Sequence, residues 1–182
     1  MRITTHHSSD DLYYAEKYPA IKFWAPTPLQ LGGEKWKRWP REGPKYNEYS
    51  ASKPLACLPG IEVIEVPTNP ETAEVVLFWP NKKMILTADI IQSHDSGLKI
   101  SSFESQGLAW LMVAMLRFPG QMRTPPLVWF RALSNDVEAV YKMHSYLMTL
   151  DWKHCVTAHG GPTLDNAKEV RRANMKKWKG GF

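Results

Sequence analysis

This 182-residue chain holds only two cysteines, Cys57 and Cys155, with no CxxC pair. That excludes a disulfide-stapled scaffold and a cysteine-based zinc knuckle, and it fits reduced thiols in a cytoplasmic protein. Long apolar runs are also missing. The longest, Leu108 to Leu116, is about half of the ~20 residues a membrane helix needs, so no span is expected. Met1 to Asp10 is polar and lacks the apolar core of a secretory signal. Neither an internal repeat nor a low-complexity tract occurs. Charge of one sign is scarce as well: the net value is +5, with acidic residues interspersed and a local basic cluster between Lys168 and Lys179. So modest a balance argues against nucleic-acid binding, which stays a weaker alternative, as a nucleic-acid-binding or nuclease-like protein, through the basic C-terminal helix and the Trp-rich Gln30 to Pro54 segment.

What is present is apolar and aromatic material sufficient for one domain with a sizeable core: 43% hydrophobic residues, including 8 Trp, 7 Tyr and 6 Phe. The chain centres on Glu74 to Asp89. Val75–Trp79 and Met84–Thr87 are β-rich runs flanking Pro80-Asn81-Lys82-Lys83, a turn sequence, and together they predict a hairpin. Its second strand ends in Ala88-Asp89, which places a carboxylate at the edge of a buried sheet. There it caps a turn, pairs with a cation or binds a metal.

Around the hairpin the expected order is mixed α/β. A short strand over Arg2–Thr5 leads into His6-His7-Ser8-Ser9-Asp10-Asp11, then a helix to Tyr18 capped by Ser8 or Ser9, and a strand from Ile21 to Ala25. Gln30 to Pro54 is rich in Gly, Pro, Lys and Trp and reads as a long irregular connection over a site or interface. Ile61–Val66 reads as a strand. Ser101 and Glu104 form a capping box before a helix, Phe103 to Phe118, that is apolar on most of its circumference and therefore buried or at an interface. A second helix starts near Asn135, and its stripe makes His144 a core or boundary residue rather than a ligand. Cys155–Ala158 is a strand ending at His159, after which Thr163 caps a last helix from Leu164 to about Trp178. Its outer face would carry Lys168, Arg171, Arg172, Lys176 and Lys177 to solvent.

Three polar clusters thus follow three predicted strands: His6 to Asp11, Asp89 and His159. Imidazole and carboxylate groups converging from strand ends suit a divalent metal. At these residues the sequence resembles the metallo-beta-lactamase fold superfamily of metal-dependent hydrolases. His6 to Asp11 resembles a degraded H-x-H-x-D-H motif, Ile85 to Asp89 the strand ending in the metal-bridging Asp, and Val156 to Pro162 the strand ending in the last metal-binding His.

The resemblance implies an α/β fold of the αββα sandwich type over residues 1–182, lacking the usual N-terminal strands. It implies Asp10, Asp11, Asp89 and His159 around one metal, His6 at a second metal or the substrate, and Asp10 as the catalytic group that orients or deprotonates a metal-activated water. The departures also count. Ser8 and Asp11 stand where the motif has its second and third His, and Pro70 stands about where another His is usual. The remaining oxygen-rich set suits Mn, Fe or Mg, with Zn also compatible. His7 and His94 are spare imidazoles. The alternative is a non-catalytic member without metal, kept for an interaction. The missing strands would leave an edge that a homodimer covers, with the Phe103–Phe118 helix as a candidate contact.

Overall fold

The computed structural model describes residues 1–4, 11–27, 44–69, 73–94, 120–124, 134 and 136–178. They form a mixed α/β structure with three α-helices and several small open sheets. No helix among them is long and apolar enough to cross a membrane. The expected Phe103–Phe118 helix and the apolar run Leu127 to Phe130 lie outside the described residues.

The largest sheet is built on the hairpin. Strands β4 (Val75–Trp79) and β5 (Met84–Thr87) pair antiparallel. Pro80 to Lys82 make one 3-10 turn, and Lys83 reverses the chain in the left-handed region at φ 48°, its amide bonded to Pro80 O at 2.9 Å. β3 (Glu62–Glu65) joins β4 antiparallel, and β8 (His154–Thr157) joins β5 parallel, giving the order β3-β4-β5-β8. A parallel neighbour requires a crossover, which here takes up the chain between Thr87 and His154.

Alternation along β4 distributes its side chains to two cores. Val76 and Phe78 join Ile85, Cys155, Val140, Leu147 and Trp152 in one cluster. Val75 and Leu77 join Tyr49, Leu55 and Ile61 in the other. The sheet is therefore buried on both faces.

Helix α2 (Val137–Thr149) buries Val140, Met143, His144 and Leu147, a stripe at helical spacing. Its N-cap is Asp136, whose carboxylate accepts from Ala139 N at 2.8 Å, one residue beyond the expected Asn135, which is outside the described residues. Trp152 folds back beneath its end and donates Nε1–H to Leu147 O at 2.6 Å.

Other expectations shift. The Arg2–Thr5 strand is reduced to a bridge between Thr4 and Glu74. The supposed irregular segment Gln30 to Pro54 contains β2 (Tyr46–Tyr49), parallel to β1 (Phe23–Pro26) and anchored by the buried Tyr49. β6 (Gln92–His94) and β7 (Gly120–Arg123) form a further antiparallel pair that the sequence pattern did not indicate. Helix α1 spans Asp11–Lys17. Helix α3 runs from Ala167 to Trp178, later than expected, because Thr163 bridges back to Cys155 instead of capping it.

Candidate functional site

Parallel pairing brings β5 and β8 to the same sheet edge together. Their last register pair is Thr87 with Thr157, and the ladder continues one step as Ala158 N donates to Thr87 O at 2.9 Å. Two residues past each strand stand Asp89 and His159. The loops are tied down locally: Thr87 Oγ1 donates to Ile91 O, Thr157 Oγ1 donates to His159 O, Ser93 N donates to His159 O, and Gly161 N to Ser93 O.

At that edge His159 Nε2 lies 2.8 Å from Asp89 Oδ1. The Asp89 side chain is 9% exposed and that of His159 39%, so a buried carboxylate meets a half-exposed imidazole. The hydrogen bond to Asp89 raises the imidazole above its ordinary range against an opposing desolvation effect, and the negative charge of Asp89 adds to the rise. Gln92 Nε2 makes a long contact of 3.4 Å with the same Oδ1.

Beneath Asp89 lies Glu74, 1% exposed. Its Oε1 accepts from Ile90 N at 2.7 Å, while Oε2 has no hydrogen-bond partner among the described residues. Burial first, and the Asp89 charge second, push its carboxyl well above the usual carboxylate range, although the amides of Ile90, Asp89 and Ala88 oppose this. The neutral acid is the form that suits this place. The motif analysis missed Glu74, yet its signal was in the sequence: it is in phase with Val76 and Phe78, which point into the core.

Asp11, the other expected site residue that is described, falls elsewhere. Asp11 opens α1 and forms an ion pair with Arg2 while accepting the Tyr46 hydroxyl; Arg2 and Asp11 side chains are 6% and 17% exposed. That carboxylate is neutralised inside a structural cluster which also raises the Tyr46 phenol, through burial and then its bond to Asp11. His6 and Asp10 lie outside the described residues, as does His7, and His94 sits in β6.

Arg171, assigned by its charge to the solvated face of the last helix, is instead 2% exposed. Its Nη1 donates to Met122 O at 2.9 Å and its Nη2 to Thr124 Oγ1 at 2.8 Å. Nη2 is also 3.0 Å from Nε2 and 3.1 Å from Nδ1 of His144. Near-equal distances to both ring nitrogens place it over the ring and not along a lone pair. His144 is held neutral by burial and then by this guanidinium, and burial lowers Arg171 itself to about 10.

Among the described residues, no group of three or more His, Cys, Asp or Glu is arranged to hold a metal. Asp89 and His159 by themselves offer one oxygen and one nitrogen 2.8 Å apart. That spacing fits neighbouring ligands of a cation with bonds of about 2.1 Å, and the mixed donor set fits a first-row divalent ion. Among the described residues the pair supplies two donors and no third. Neither a protein-family model nor a curated protein matches the chain.

Proposed function

We propose that this chain is a divergent metallo-beta-lactamase-fold protein, of the αββα sandwich type, and a metal-dependent hydrolase. Its site is centred on Asp89 and His159. The observation that carries the reading is the 2.8 Å approach of these two side chains from the ends of adjacent parallel strands. Strand carboxyl ends are where α/β proteins gather ligands, and a buried acid is kept there only with a partner.

Asp89 and His159 would hold a divalent ion, Mn, Fe or Zn, and the sequence resemblance adds Asp10 and His6 to the set. Such an ion, when bound, lowers the pKa of a water so that it becomes a nucleophile near neutral pH. The chain's own residues have distinct tasks in this scheme. The clamped loops hold Asp89 and His159 in register, and the half-exposed imidazole opens the site to solvent. Asp10 would orient or deprotonate the attacking water. Asp11 joins only if it gives up Arg2 and Tyr46.

A second reading is favoured by the same contact: His159 already balances the Asp89 charge, so the pair needs no cation to be stable. The chain would then be a non-catalytic member, kept for a protein interaction such as a homodimer. Elemental analysis of protein purified without chelator or histidine tag separates the two. About one equivalent or more of Mn, Fe or Zn per chain, lost in Asp89→Asn, is expected for the hydrolase. Metal well below stoichiometry in both proteins, even after cations are added, would sink it.

A further inference from the structure

Glu74 occupies a position where an apolar side chain would complete the core. It precedes β4, bridges to Thr4, and shares the phase of Val76 and Phe78. Yet its carboxyl is spent on a turn sixteen residues away: Oε1 accepts from Ile90 N, and the amides of Asp89 and Ala88 face the same group.

The carbonyls of that turn are satisfied from the other side. Thr124 Oγ1 donates to Ile90 O at 2.6 Å and Thr87 Oγ1 to Ile91 O at 2.8 Å. Hydroxyls hold the acceptors and Glu74 holds the donors. The turn so held carries Asp89.

We propose that Glu74 is the positioning residue of the strand-end site: its carboxyl pins the Ala88–Ile90 turn and so sets Asp89 against His159. The functional weight of this role rests on the Asp89–His159 reading given above, whereas the pinning requires no metal. An apolar residue at position 74 would leave the Ile90 amide buried without its acceptor, and the turn would open to hydrate it. Glutamine keeps a carbonyl oxygen for that amide, so the two replacements act differently on Asp89.

The test is proton NMR on the metal-free full chain. The Nε2–H proton shared by His159 and Asp89 gives a downfield resonance, assigned by its loss in His159→Gln. It persists in Glu74→Gln and disappears in Glu74→Ala, whose core methyl spectrum remains dispersed. Survival of the resonance in folded Glu74→Ala, or its absence from the wild type, overturns the proposal.

Should Glu74→Ala not fold, the Ile90 amide decides. It is expected to exchange slowly in the wild type and, in Glu74→Gln, to stay protected while its proton shift moves as the acceptor changes. An Ile90 amide that exchanges at the rate of an open loop, or one that Glu74→Gln leaves unshifted, overturns the proposal. Metal content is read separately. A metal-free protein with the resonances behaving as stated removes the hydrolase and leaves the role of Glu74 standing.

Discussion

Replacing Arg171 and Arg172 in turn by Ala is the sharpest probe of how α3 is seated. The two arginines are adjacent, share a charge and gain the same helix propensity on truncation, but Arg171 is 2% exposed and Arg172 is exposed. Arg171→Ala removes two charge-assisted hydrogen bonds, to Met122 O and Thr124 Oγ1. Each is worth about 1.5–3 kcal/mol, and a cavity adds to the loss. Regained desolvation of the guanidinium offsets part, leaving roughly 3–5 kcal/mol. For a chain of this length that corresponds to a fall in Tm of about 10 °C or more. Arg172→Ala should stay within about 0.5 kcal/mol. Urea unfolding followed by tryptophan fluorescence and a thermal scan by circular dichroism give both numbers. Equal effects for the two variants, or an Arg171→Ala loss below about 1 kcal/mol, would refute the buried placement and return the residue to a solvated face.

Two further outcomes follow from the same cores. His144 faces Arg171 from α3 and Thr124 after β7, with Cys155, its thiol pushed up to about 12 by burial, close to the guanidinium. Its folded pKa lies below 6.5, so its contribution is fully present above pH ~6.5 and is lost as pH falls towards the folded value, by at most about 1.4 kcal/mol per pH unit. Urea midpoints from pH 8 to 5 should therefore decline less steeply in His144→Gln than in the wild type, and parallel slopes would count against the assignment. Asp11→Asn leaves Arg2 without its carboxylate and should cost about 2 kcal/mol in urea unfolding while bound metal is retained, the reverse of Asp89→Asn. Metal loss in Asp11→Asn would place Asp11 in the site after all.

The hairpin and β8 were legible because apolar β-branched runs bounded by Pro, Asn and Gly specify strand and turn without help from the rest of the chain. The strand ends carrying Asp89 and His159 followed from them. That the two ends lie side by side did not, since parallel pairing depends on a crossover that no local pattern encodes. Strand β2 was hidden because Tyr-Asn-Glu-Tyr carries two residues disfavoured in strands and sits among Gly and Pro; its partner β1 and the buried Tyr49 make it a strand. Arg171 was misplaced for a different reason. Ala167 is buried and Val170 packs against the same core, and Arg171, four residues after Ala167, belongs to that inward stripe by spacing. Here period outweighs residue type.

Glu74 makes the same point at the site, and its burial bears on what the site is for. An apolar residue at 74, with the turn after β5 opened to water and Asp89 facing solvent, is by area alone the cheaper arrangement. Instead a second acid is buried under the first, close enough that the Asp89 charge disfavours ionisation of Glu74, and a histidine from the neighbouring strand is held against the outer one. Three mutually dependent titratable groups at one sheet edge carry a desolvation cost that the β3-β4-β5-β8 sheet does not need for its own stability, since its two apolar clusters already bury both faces. A cost concentrated at the end of two parallel strands, with one imidazole left half open to solvent, is what the proposed site would require. On that proposal Asp89→Asn, and not a change in either core, is the substitution expected to remove bound metal while leaving the fold in place.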